Sequence, residues 1–148
     1  MGDVGGVAGE TNSGATMAAC YATGNVTIEI DPIDNILGGG LVGFNGSGSS
    51  LLACYATGNV TSTGSSTGKV HIGGCLGDNY TTVMTACYWK NNHEQGIGFN
   101  NKATEATKVD GTTVTWQNAV DAMNTALQNA GSKWRYELNG ESPTLRKQ

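Results

Sequence analysis

The side chains best suited to chemistry in this chain are two histidines, four cysteines and a scatter of carboxylates, and their spacing argues against catalysis. Neither His71 nor His93 has a Ser, Cys or acidic neighbour at a spacing that suggests a triad or a metal site. His71 alternates with Val70 and Ile72, so it reads as the outward residue of a strand. Asp31, Asp34, Asp78, Glu94 and Asp110 fall in loops without a partner at a repeat-equivalent position, so neither a glycosidase pair nor a repeated calcium site is in view. The cysteines show no zinc-type CxxC or CxH spacing. Gly38-Gly39-Gly40 lacks the Lys-Ser/Thr and the strand-to-helix switch of a phosphate loop. These residues predict no catalytic group, no cofactor and no metal ligand. The enzyme alternative is a carbohydrate-active β-helix whose site assembles from residues far apart in sequence.

A second set of residues stands out by recurrence. Ala19 to Thr27 and Ala53 to Thr61 both read Ala-Cys-Tyr-Ala-Thr-Gly-Asn-Val-Thr, and a third copy opens Ala86-Cys87-Tyr88 before drifting to Trp89-Lys90-Asn91-Asn92. Cys20, Cys54 and Cys87 are 34 and 33 residues apart, a step that marks stacked repeats. Equivalent strands of such a stack pair in parallel at about 4.8 Å, and identical residues form ladders. Tyr21, Tyr55 and Tyr88, with Trp89 beside the third, then make a row of rings. If Cys20, Cys54 and Cys87 point inward as buried free thiols, a regular strand turns the tyrosines outward. There they form a candidate surface for sugar rings or a protein partner. The competing reading, preferred on packing grounds, places the rings under inter-repeat loops or inside the coil with Met17, Leu51 and Met84. Strict alternation puts Leu51, Ala53 and Tyr55 on one face and Leu52 and Cys54 on the other, so both sets are buried only where the strand bends or bulges. Asn25, Asn59 and Asn92 make a third structural ladder, expected to bond side chain to side chain. Cys75 stands where the other copies have Val7 and Leu41 and reads as a small hydrophobe.

The elements that carry these ladders must be short. The chain holds 23 glycines in 148 residues and only 14% charged residues, a mix that favours strands and tight turns over a helix bundle. A glycine half opens each repeat, at Gly5-Gly6, Gly39-Gly40 and Gly73-Gly74. Apolar pieces bounded by Gly, Asn, Ser and Thr predict up to three strands per repeat, near Val4 to Ala8, Met17 to Ala22 and Asn25 to Ile30 in the first. The expected fold is all-β, a short parallel β-helix or β-solenoid of about three 34-residue coils over 1–92, at 4–37, 38–71 and 72–92. The segment 93–148 differs. It is polar to Lys108, with a partial coil at Gly96-Ile97-Gly98-Phe99, and then carries a helix over 116–130. Trp116, Ala119, Val120, Met123, Leu127 and Ala130 recur at three and four, Thr115 is placed to cap the start and Gly131 to end it. The helix and the terminal strand from Lys133 to Leu138 are expected to close the C-terminal end of the stack.

Gly-Gly-Leu-Val-Gly-Phe-Asn at 39 to 45, followed by Ala-Cys-Tyr-Ala-Thr-Gly-Asn-Val at 53 to 60, resembles the GLUG repeat of bacterial surface proteins, including adhesin-like proteins of gut Bacteroidetes. The first copy has Val7-Ala8 for Leu-Val, and the third replaces Ala-Thr-Gly by Trp89-Lys90-Asn91. The resemblance spans residues 4 to 92 and implies a secreted or surface-attached β-solenoid without catalytic residues of its own.

The formal charge of −4 and the scatter of eight basic residues argue against a phosphate-binding surface for nucleic acid, so no nucleic-acid partner is expected. No apolar run approaches the roughly 18 residues of a membrane span. Met1 reads as the start of a fragment, since Gly5-Gly6 already lies inside a repeat, so no signal peptide is expected within the chain. The expected function is a non-enzymatic secreted or cell-surface module for binding or display, with a host glycan or protein as partner. A structural stalk or spacer is the alternative. An uncapped N-terminal edge with Val4 and Val7 also invites self-association or continuation of a longer repeat array.

Overall fold

The computed structural model describes residues 1–102 and 104–148, and it shows parallel strands stacked coil on coil, with one helix and one antiparallel hairpin beside them. Five rows of strands run up the stack. The first holds Gly2–Gly5, Ile36–Gly39 and Val70–Gly73, and the second Ala8–Thr11, Val42–Asn45, Leu76–Asn79 and Ile97–Asn100. The third holds Thr16–Ala18, Ser50–Leu52 and Met84–Thr85, and the fourth Tyr21–Ala22, Tyr55–Ala56, Tyr88–Trp89 and Thr107–Lys108. Val26–Ile30 and Val60–Gly64 make the fifth. The register follows the repeat, with Gly5 opposite Gly39, Tyr21 opposite Tyr55 and Val26 opposite Val60.

A coil therefore uses up to five short strands, where the sequence predicts three. The glycine half explains one of the extra corners. A side chain at Gly43 would run into the Val4 amide and the Leu37 carbonyl, so a residue without Cβ is what lets the first and second rows lie backbone to backbone. The second break falls inside the Ala-Cys-Tyr segment. Ala19, Ala53 and Ala86 adopt left-handed φ of 53°, 53° and 52°, an arrangement that costs an L-residue about 1–2 kcal/mol. Stacking offsets that cost. The Ala19 amide donates to the Leu52 carbonyl at 3.0 Å and the Ala53 amide to the Thr85 carbonyl at 2.9 Å, bonds the next coil supplies.

The bend changes which side chains share a face. Leu51, Cys54 and Ala56 turn into the coil with Leu41, Val42 and Leu76, while Ala53 and Tyr55 turn out. A smaller apolar cluster of Val26, Ile28, Ile36 and Val60 fills the other end of the coil. The outward set is a second apolar face, and the C-terminal segment covers it.

The helix spans Trp116–Asn129, capped by Thr115, whose hydroxyl accepts from the Asn118 amide while the Asn118 side chain accepts from the Thr115 amide. Gly131, at φ 73°, follows its end. Helix and hairpin (Trp134–Glu137 with Thr144–Lys147) do not close the end of the stack as expected. They lie along its flank: the Tyr136 hydroxyl donates to the carbonyls of Cys20 (3.4 Å) and Ala53 (2.8 Å), and Trp116 packs edge-on to Tyr55 at 5.0 Å. The exposed apolar face left by the alanine bend is the physical reason. Beyond residue 92 the stack goes on into a partial fourth coil, Ile97–Asn100 and Thr107–Lys108.

Candidate functional site

The tyrosine row forms as the repeat predicts, but it is not a surface. Tyr21 and Tyr55 stack at 5.0 Å and 6°, with Tyr136 and Trp116 against them, and the Tyr55 hydroxyl donates to the Pro143 carbonyl. Tyr55 is 0% exposed and Tyr88 9%. Burial pushes the Tyr55 phenol up to about 12. Trp89 points the other way, into the coil core, where its indole donates to the His93 carbonyl at 3.1 Å. It stands in register with Ala56, and Gly96 makes room, since a side chain there would strike the indole. The proposed ligand surface of Tyr21, Tyr55, Tyr88 and Trp89 is thus corrected: these rings are the packing between stack, helix and coil core.

The cysteine column is inward and thiol-only. Cys54, Cys75 and Cys87 are buried and Cys20 is partly covered at the first coil. Each ladder thiol donates back across the alanine bend, Cys20 to the Ala18 carbonyl (3.3 Å), Cys54 to Leu52 (3.4 Å) and Cys87 to Thr85 (3.6 Å). The Cys20 thiol pulls Cys54 down, but the Cys87 thiol and burial outweigh it and push Cys54 up to about 12. A nucleophilic thiolate is disfavoured at this site.

Asn25, Asn59 and Asn92 bond differently from the expectation. The Asn25 side chain accepts from the Asn59 amide (3.0 Å), and Asn92 both accepts from the Val60 amide and donates to its carbonyl (2.9 Å each). They brace the backbone of neighbouring coils. The side-chain ladder lies elsewhere: Thr11 donates to Asn45 (2.6 Å), Asn45 to Asn79 (2.9 Å) and Asn79 to Asn100 (3.0 Å), with Asn45 and Asn79 fully buried. Its signal was the 34-residue step from Asn45 to Asn79.

What the outside does present is an aromatic stripe built from unlike residues, outside the identical positions of the repeat. In the second row Glu10, Phe44, Asp78 and Phe99 stand one above another. Tyr80 bridges the phenylalanines, 5.5 Å from Phe44 and 6.1 Å from Phe99, and His71 stacks on Phe99 at 5.0 Å and 15°. Phe99 is 41% exposed, while Asp78, beneath the rings, is 4% exposed and holds His71 Nδ1 at 2.5 Å. The acidic partner that His71 lacks by sequence spacing is thus supplied from the neighbouring row. At the first coil Asp3 Oδ1 is buried without a hydrogen-bond partner. Burial first, then the Glu10 carboxylate, raise the Asp3 pKa. The stripe offers apolar ring faces beside one imidazole and a pair of carboxyls, groups that stack and hydrogen-bond. The clue in the sequence was Gly-Phe-Asn, which stands letter for letter at 43–45 and 98–100. Among the described residues no three His, Cys, Asp or Glu side chains cluster as metal ligands, and no helix is long and apolar enough to cross a membrane.

Parallel rows, short strands and repeat register define the class as a parallel β-helix or solenoid. Residues 34–61 match the family model described as the GLUG motif, so the chain carries the GLUG repeat. That motif points to a repeat module of a surface or extracellular protein. No curated protein and no solved structure matches the chain.

Proposed function

We propose that this chain is a non-enzymatic, adhesin-like module of a secreted or cell-surface protein, and that it binds a host glycan or protein through the Phe44, Tyr80 and Phe99 stripe. The observation that carries the reading is a run of neighbouring rings, Phe44 and Tyr80 half-buried and Phe99 exposed, with His71 and the Asp3 and Glu10 carboxyls beside it. Aromatic faces next to hydrogen-bonding groups suit ligands that are apolar on one side and polar at the rim. A broad glycan and host-protein binding screen tests it. Retained partners support binding, an empty screen at high protein concentration favours the stalk, and turnover of a polysaccharide or peptide by the purified chain overturns the non-enzymatic reading.

We propose that the first coil offers a second contact, either to the next coil of a longer repeat array or to another copy of this chain. All its strands lie at the edge of their rows, and Val7 is 44% exposed there. Open edges pair with other edges. Concentration-dependent mass by light scattering is the expected outcome, and a strict monomer at high concentration counts against it.

A further inference from the structure

Among the described residues the fourth coil adds no strand to the third row. From the second row to the fourth the chain takes ten residues in the first coil (Thr11 to Tyr21), ten in the second (Asn45 to Tyr55) and nine in the third (Asn79 to Tyr88), but only seven in the last (Asn100 to Thr107). The shortcut is held by the Asn100 side chain, which donates to the Thr104 carbonyl at 2.6 Å, and by Thr104, whose hydroxyl donates to the Thr81 carbonyl at 2.9 Å. Among the described residues, rows two and four thus gain a fourth strand and row three does not.

Next to the last strand of the third row runs a groove of ≈ 610 Å³, with Thr85, Ala86 and Tyr88 on one wall and the helix residues Asn118, Asp121 and Thr125 on the other. Thr85 belongs to the strand Met84–Thr85, and among the described residues no strand pairs with that strand on the side away from Ser50–Leu52. One coil below, the Leu51 amide donates to the Val83 carbonyl at 3.0 Å and the Ala53 amide to the Thr85 carbonyl at 2.9 Å. Parallel pairing repeats this pattern from coil to coil, so Met84 and Ala86 aim the equivalent amides along the stack, away from the coil below and next to the groove. They call for two carbonyls at a two-residue spacing, which is what an extended polypeptide supplies and a sugar does not.

We propose that this groove is a strand-addition site that takes an extended segment of a partner polypeptide as the fourth parallel strand of the third row. Continuity with the existing ladder sets its pattern. The residue above Met17, Leu51 and Met84 is apolar and of similar size, because that column faces the coil core. The residue two positions on is small, above Ala19, Ala53 and Ala86. Asp121 is the charged side chain in the lining, so the segment is neutral or basic. The site does not depend on the aromatic stripe.

The test uses a fluorescent peptide copying residues 47–53, Ser-Gly-Ser-Ser-Leu-Leu-Ala, with one lysine added at its amidated C-terminus. Saturable binding is expected, with slower hydrogen exchange at the Met84 and Ala86 amides of the whole chain. Thr125→Trp, at an exposed position that fills the groove, is expected to weaken binding at least tenfold, whereas Thr125→Ala retains it. Absence of saturable binding at millimolar peptide overturns the proposal, as does equal binding to Thr125→Trp or unchanged exchange at the two amides.

Discussion

Cys54 and Tyr55 are neighbours in the chain and end in different cores, the thiol inside the coil and the ring outside it under Tyr136 and Trp116. The ring is enclosed on every side, so it works as a structural anchor. Tyr55→Ala is expected to cost about 3–5 kcal/mol, as for other buried aromatics truncated to alanine. A melting temperature lowered by many degrees checks it. An unchanged melting temperature would place the ring outside the core. Phe99 is the counterpart. It is 41% exposed, so its removal is expected to leave the interior intact.

The element that decides between these fates is one alanine per coil. Ala19, Ala53 and Ala86 in the left-handed region break the strand and let Leu51 and Cys54 share a face that strict alternation denies them. Ala53→Val places a β-branched residue at that φ, with its side chain against the helix. The expected loss is above the ~1–2 kcal/mol that the alanine already carries, read as a lower midpoint of urea unfolding. Equal stability of the variant would contradict the bend. Much of this was legible in the sequence: the repeat step, the parallel rows, the inward cysteines and the helix with its Thr115 cap. The strand break was legible only as a conflict of parity, because an alanine gives no sign of positive φ as a glycine does. The aromatic stripe escaped for another reason. Its residues occupy one row only in part, with Asp78 standing between Phe44 and Phe99, and Tyr80 enters from two positions further along. A search for identical residues at a fixed step passes over a site built from unlike ones. His71 and Asp78 meet across two rows, a contact that depends on the glycine corner between them.

At the scale of the molecule, stack and flank form one unit joined by tyrosines. Burial raises the pKa of Tyr55 to about 12 and that of Tyr136 further, against an ordinary 10.0, and Cys54 rises to about 12 from 9.0. A group whose folded pKa is raised contributes stability that is complete below its unfolded pKa and is lost as pH rises through the folded one. Stability is therefore expected to hold to about pH 9 and to fall between there and about pH 12. Circular dichroism melts across that range check it, and a flat profile would mean that the tyrosines and thiols ionise freely in the fold.

Tyr55 and Tyr88 are covered while Phe99 is exposed, and the account turns on that difference. The most direct measurement is a glycan and host-protein array probed with the wild-type chain, Phe99→Ala and Tyr55→Phe, each with its melting temperature. The expected result is that wild type and Tyr55→Phe retain the same partners, whereas Phe99→Ala loses them at least tenfold with its melting temperature unchanged. Partners kept by Phe99→Ala and lost by Tyr55→Phe would contradict it.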